Sequence, residues 1–337
     1  MGPDGRLRRV GLAALLALVV LALAACGSDS GDDSGGGASG GGGASADETT
    51  PVKVGVVEFT GIAPTQLGID KGIFNKHGLD VTLVPADNPA AISAQVVSGQ
   101  LDIGFSTTTF LATAAAKGAP LQAVSAVDGL INPDDAVSAI VVAKDSPIQS
   151  PKDLTGKKVA VVALGSELDV LMRKVTDDDG GDASKVQSVQ IPFPQMQAAL
   201  KAGRVDAVVT TEPFLTISTN AGGRVISEPE VDLLPNGSVT AYTASKQFIG
   251  KNADVVKRFQ AAMRESLDYA KAHQGEALQA VSKVTGLSAD EAKGQGLGTL
   301  YDPALDRASI EEMQDLLVSY ELIPKKVPMD ELVVPGA

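Results

Sequence analysis

Hydroxyl, carboxyl and aromatic side chains gather at the ends of short apolar runs in this chain, where a ligand would meet them. Phe59, Thr60 and Gly61 follow one such run and Ser106, Thr107 and Thr108 follow another, with Asp128 in the Val127-Asp128-Gly129 turn. A second group holds Gly165, Ser166 and Glu167, then Thr210, Thr211, Glu212 and Phe214. Most of these precede a helical pattern. The first N–H groups of a helix have no partner within it, and its dipole favours negative groups there. Each hydroxyl can serve as an N-cap worth about 1 kcal/mol; as a set they read as a polar cleft. No Arg or Lys occurs in these loops to clamp a carboxylate or sulfonate bidentately. Glu58, Asp128, Glu167 and Glu212 stand nearby instead, so a neutral or donor-bearing solute fits at least as well as an anion. With no Trp in the chain, stacking would fall to Phe59, Phe105, Phe110, Phe193 or Phe214.

Other chemistries lack their residues. The two histidines, His77 and His273, are far apart and have no partner at metal-ligand spacing, and His77 reads as a helix-end residue beside the negative end of the dipole. The single cysteine, Cys26, ends an apolar stretch that follows Arg6, Arg8 and Arg9. That stretch reads as a secretory signal over residues 1–25 and is too short to span a bilayer, which takes about 20 apolar residues. Residues 26–50, rich in Gly, Ser, Ala and Asp, read as a flexible tether of about 25–30 Å reach. The net charge is −13; removing a signal that carries three arginines against Asp4 leaves −15. Nucleic acid calls for a basic face, so it is not expected as a partner, and neither is peripheral binding to anionic lipid.

The elements that position these loops alternate strand-like and helical runs, which points to α/β architecture. Val52–Val57 is a strand followed by a helix that closes at His77-Gly78. About 105 residues later Lys158–Ala163 repeats the strand. Ala94–Thr107 and Gln197–Thr210 also match at nearly that offset: helix, glycine cap, one polar residue, then a strand ending in hydroxyls. Two matches in one order predict two similar lobes. The helical stretches after Val239–Ser245, including Val255–Met263 and Ile310–Tyr320, need a sheet to cover, so the chain is expected to return to the first lobe. The expected division is 51–144 plus 239–337 for one lobe and 145–238 for the other, with a hinge where the chain crosses. In open α/β sheets ligands sit outside the carboxyl ends of the strands.

Three segments carry a family resemblance: Gly68-Ile69-Asp70-Lys71-Gly72-Ile73-Phe74-Asn75-Lys76-His77-Gly78-Leu79-Asp80-Val81, Pro151–Val161, and Ala198–Ala207 with Thr211-Glu212-Pro213-Phe214 after it. The chain resembles bacterial ABC-transporter solute-binding proteins of the type II periplasmic-binding fold, in the group serving aliphatic sulfonates, taurine, nitrate and thiamine-pyrimidine precursors. Leu23-Ala24-Ala25-Cys26 resembles the lipobox of bacterial lipoproteins. The resemblance implies a lipid on Cys26 and an extracytoplasmic position on the cell membrane, with the lipid as the sole anchor. It implies a monomer that binds a small solute in the cleft for ABC permease and ATPase subunits, with no cofactor, metal or catalytic residue. Two other readings belong to the same fold: a biosynthetic enzyme of the thiamine-pyrimidine or menaquinone type, and the sensing module of a separate signalling partner.

Overall fold

The computed structural model describes residues 49–288, 299 and 301–337. The signal, Cys26 and nearly all of the tether lie outside the described residues. Among the described residues no helix is long and apolar enough to cross a membrane.

The first sheet begins with β1 (Thr50–Val56), then α1 (Ala63–Asp70), α2 (Ile73–Lys76), β2 (Leu79–Pro85), α3 (Pro89–Ser98), β3 (Ile103–Thr107), α4 (Thr108–Ala116) and β4 (Leu121–Ser125). The chain then crosses to β5 (Ser138–Val142), β6 (Lys158–Val161), α5 (Glu167–Asp178), β7 (Gln187–Gln190), α6 (Phe193–Lys201), β8 (Ala207–Thr211), α7 (Phe214–Asn220), β9 (Arg224–Ser227) and α8 (Pro229–Leu233). It returns through β10 (Thr240–Ser245), α9 (Lys246–Lys251), α10 (Ala253–Ala272), α11 (Gln274–Thr285), α12 (Arg307–Ser319) and α13 (Met329–Leu332).

Two five-stranded sheets result, ordered β2-β1-β3-β10-β4 and β7-β6-β8-β5-β9. In the first, β1 runs parallel to β2 and β3, while β10 is antiparallel to β3 and β4. The second repeats this around β6, with β5 antiparallel to β8 and β9. The protein is therefore two-lobed α/β, each lobe a mixed sheet flanked by helices. Thr50, placed at the end of the tether by composition, instead opens β1: its N–H bonds Gly78 O and it pairs with Leu79. A strand partner fixes it where composition alone could not.

The repeated segments owe their likeness to one device. Gly99 takes φ +77° after α3, and three residues on Asp102 turns its carboxylate onto the Lys53 N–H at 2.8 Å. Asp206 does the same for Lys158 N–H at 2.8 Å in the other lobe. Each aspartate N–H also donates back to the carbonyl of the same lysine. Side chain and backbone together lock the start of β3 or β8 beside β1 or β6, setting the register that carries the following hydroxyls to the strand end.

The larger apolar core lies under the first sheet, where Phe74, Tyr242 and Phe259 are almost fully buried and in ring contact. It also takes in Val170 and Leu171 of α5, so that helix packs against both lobes. Tyr320, just after α12, reaches the same helix and donates its hydroxyl to Asp177 at 2.7 Å.

Candidate functional site

A cavity of about 110 Å³ opens where the strand ends of the two sheets meet. Phe59 and Thr60 follow β1, and Thr211 and Glu212 close β8. The crossing segments supply Asp128, Ile131, Asp135, Ala136 and Val137 on the way out, then Glu230, Val231, Val239 and Thr240 on the way back; Thr299 completes the lining. Ile131 and Thr299 also pair as an isolated β-bridge, which ties the wall together. The volume holds on the order of ten water-sized groups, the size of one small ring with a substituent. A larger groove of about 320 Å³ lies between α1 and α11, but it is lined from one lobe only. Its charges are already matched, Lys71 with Glu276 and Lys283 with Asp70.

Asp128 is the most buried acid of the lining, about 4% exposed. Its carboxyl accepts the hydroxyl of Thr240. Burial pushes its pKa up to about 7, against the pull of that hydrogen bond, and the Glu230 charge adds to the rise. Gly61 makes room for it. A Cβ at Gly61 would overlap both the Asp128 carboxylate and the Phe59 ring, so only glycine lets the backbone pass.

Glu230 stands in the first turn of α8 and accepts the hydroxyl of Ser138. Glu167, in the first turn of α5, interacts with it directly. Burial raises both carboxyls, Glu167 furthest because the Glu230 charge opposes its ionisation too. Glu167 is thus the member that keeps a proton, and its Oε1 is buried with no hydrogen-bond partner. Glu212 is raised by burial as well, opposed by bonds from the Thr216 hydroxyl and N–H. Those two bonds cap α7. The peptide from Glu212 to Pro213 is cis.

Five of the fourteen residues expected at the site border the cavity: Phe59, Thr60, Asp128, Thr211 and Glu212. The others lie around it. Gly61 sits beneath Phe59 and Asp128, and Glu167 behind Glu230. Ser106 donates to Thr107 O, Thr107 caps α4 through Phe110 N, and Thr108 donates to Ser238 O. The returning strand explains their position, because Thr240 pairs with Thr107 and covers that end of β3. Leu322 packs over Gly165, whose N–H is held by Asp169 at 2.8 Å. Ser166 precedes α5 without capping it. Phe214 stacks on Phe193 at 6.0 Å between centroids. His77 ends α2 and bonds Glu265 at 2.9 Å, and His273 ends α10 stacked on Tyr269.

The lining residues that sequence reasoning missed come mainly from the crossings. Glu230 carried one usable signal, a Pro-Glu pair opening a short helix after a strand. Thr299 and Asp135 carried none.

Two mixed sheets facing each other across a strand-end cleft, joined by two crossings, define the periplasmic-binding-protein fold. The periplasmic aliphatic sulphonate binding protein from Escherichia coli shares it, with a TM-score of 0.68 and 22% identity over 83% of this chain and 91% of that one. The sequence profile of the NMT1/THI5 like family matches residues 59–277, and the chain belongs to that family. A protein of Brucella abortus (strain 2308) named as a binding protein is 27% identical over 240 residues, 70% of this chain and 72% of that one. The 4-amino-5-hydroxymethyl-2-methylpyrimidine phosphate synthase of Aspergillus parasiticus is 24% identical over 230 residues, 64% of this chain and 65% of the enzyme.

Proposed function

We propose that this protein is the extracytoplasmic solute-binding component of an ABC importer. It captures a small organic solute between its lobes, unchanged, and hands it to a permease served by an ATPase. The observation that carries this reading is the cavity at the strand ends, lined by Phe59 and Thr60 on one side and Thr211 and Glu212 on the other. A solute touching both sets stabilises the closed arrangement, because only that arrangement supplies both halves of its contacts. Relatives and fold neighbours named as binding proteins support it. The lipid on Cys26 and the tether that precedes β1 belong to the same proposal: they hold a monomeric receptor beside its transporter, and two acyl chains give stable anchoring.

The test is a solute panel of sulfonates, taurine, nitrate, aminopyrimidines and small amines. Binding is followed by thermal shift and calorimetry, and the solute is recovered for NMR. Saturable binding at one site with the solute recovered intact is expected. Conversion of the bound solute contradicts the reading and favours the enzyme of the same fold.

A further inference from the structure

We propose, resting on the receptor reading above, that the cleft takes a small organic cation, an amine or amidine whose N–H groups donate to Asp128 and Glu230 while its apolar body lies against Phe59, Val137 and Val231. The cavity wall presents four carboxyl groups, those of Asp128, Asp135, Glu212 and Glu230, and no Lys, Arg or His among its described residues. Acids alone would not define a site. Three buried polar atoms beside them lack a partner: Glu167 Oε1, Thr299 Oγ1 and the Tyr301 hydroxyl. Glu167 and Tyr301 are about 6% and 1% exposed. Glu167 touches Glu230, and Tyr301 lies close enough to Asp128 and Asp135 for both negative charges to oppose its ionisation. An unpaired buried polar group costs about 1–3 kcal/mol, and of the three, Thr299 Oγ1 belongs to the cavity wall itself, while Glu167 and Tyr301 stand behind its acids.

Two of the helix ends near the cavity that could hold an anion are already taken. Glu212 occupies the N-terminus of α7, accepting the N–H and the hydroxyl of Thr216. Thr107 caps α4, and Asp169 holds the Gly165 N–H before α5. An anion would find the ends of α4 and α7 filled and four carboxyls around the cavity, although the start of α5 and the turn at Thr60–Ile62 carry no side-chain cap. A metal ion fits no better, because the described residues hold no group of three ligating side chains arranged for one. An organic cation satisfies the whole wall: its nitrogen donors meet the carboxyls, and its carbon skeleton covers the Phe59 ring and the valines, which also favours a cation by its electron-rich face. The groups facing the cation, namely Asp128, Glu230, Glu212, Asp135 and Glu167 behind Glu230, bind it best ionised. Affinity should therefore rise with pH, and binding below neutral pH should release protons.

Calorimetry with probes of similar shape tests this: benzamidine, benzylamine and butylamine against benzyl alcohol, benzoate and butanesulfonate. The cations are expected to bind at one site, more tightly at about pH 8 than at about pH 5, with protons released at the lower value. Asp128→Asn, and Glu230→Gln as a second variant, should each weaken cation binding on the order of tenfold to a hundredfold. Preferential binding of benzoate, butanesulfonate or benzyl alcohol would overturn the charge assignment and leave the receptor reading standing. Failure of every probe here and of the wider solute panel would overturn both.

Discussion

Asp128→Asn should make the empty protein more stable at alkaline pH while weakening its grip on solute. Burial holds the Asp128 carboxyl at a pKa of about 7, well above the ordinary aspartate value of 3.8. The folded chain therefore binds more protons at this site than the unfolded chain does between those two values. Stability falls as pH rises from about 4 to about 7 and is level beyond, because above the folded pKa both states are ionised. The full penalty at about pH 8 is at most about 4 kcal/mol, the shift taken at 1.36 kcal/mol per unit. Water entering through the hinged cleft lowers it, so a gain of about 1–3 kcal/mol is expected for the variant, a rise in Tm of roughly 3–10 °C. Asparagine keeps an oxygen to accept the Thr240 hydroxyl, so the packing around Gly61 and Phe59 is retained. Urea denaturation of both proteins at about pH 4.5, 6 and 8 measures it. The gain should be smallest at the lowest pH, where only a minor part of the penalty is present, and grow through neutrality. A gain absent at pH 8, or equal at all three values, refutes the argument that a buried, ionising carboxyl is the source.

Three further perturbations follow from the same geometry. Tyr320→Phe removes the hydroxyl bonded to Asp177 across the lobes, about 1 kcal/mol, and should shift solution scattering toward an open form and weaken solute binding roughly fivefold, with little change in secondary structure. Gly61→Ala drives a Cβ into Asp128 and Phe59, so a loss of about 1–3 kcal/mol in denaturation is expected together with loss of solute binding. Asp102→Ala and Asp206→Ala remove the same strand clasp from each lobe; each should destabilise by about 1–3 kcal/mol, and a large difference between them would contradict their structural equivalence.

Much of the fold was legible because its signals are local. The glycine, polar residue, apolar residue and aspartate that follow α3 and α6 sit in both lobes because the aspartate has one task in each, and the spacing between the copies predicted the duplicated architecture. The return of β10 to the first sheet was legible from need, since Val255, Phe259 and Met263 on α10 required an apolar surface to cover. The site was half legible. Residues at the ends of β1 and β8 could be placed because a strand's end fixes its next residue. Asp135 and Thr299 could not, because their loops have no periodicity and their approach to the cavity depends on the tertiary arrangement; Glu230 had only the Pro-Glu pair that opens α8. The hydroxyls of Ser106, Thr107 and Thr108 show the converse: their strand end was read, but not the neighbouring strand that covers it.

Solute capture between the lobes is tested most directly by a crystal structure of the protein grown with the tightest solute from the binding panel. Density is expected in the cavity, touching both lobes, with Phe59 and Asp128 on one side, Thr211 or Glu212 on the other, and donor atoms toward the Asp128 and Glu230 carboxyls. Density in the groove between α1 and α11, or contacts to one lobe alone, would contradict it.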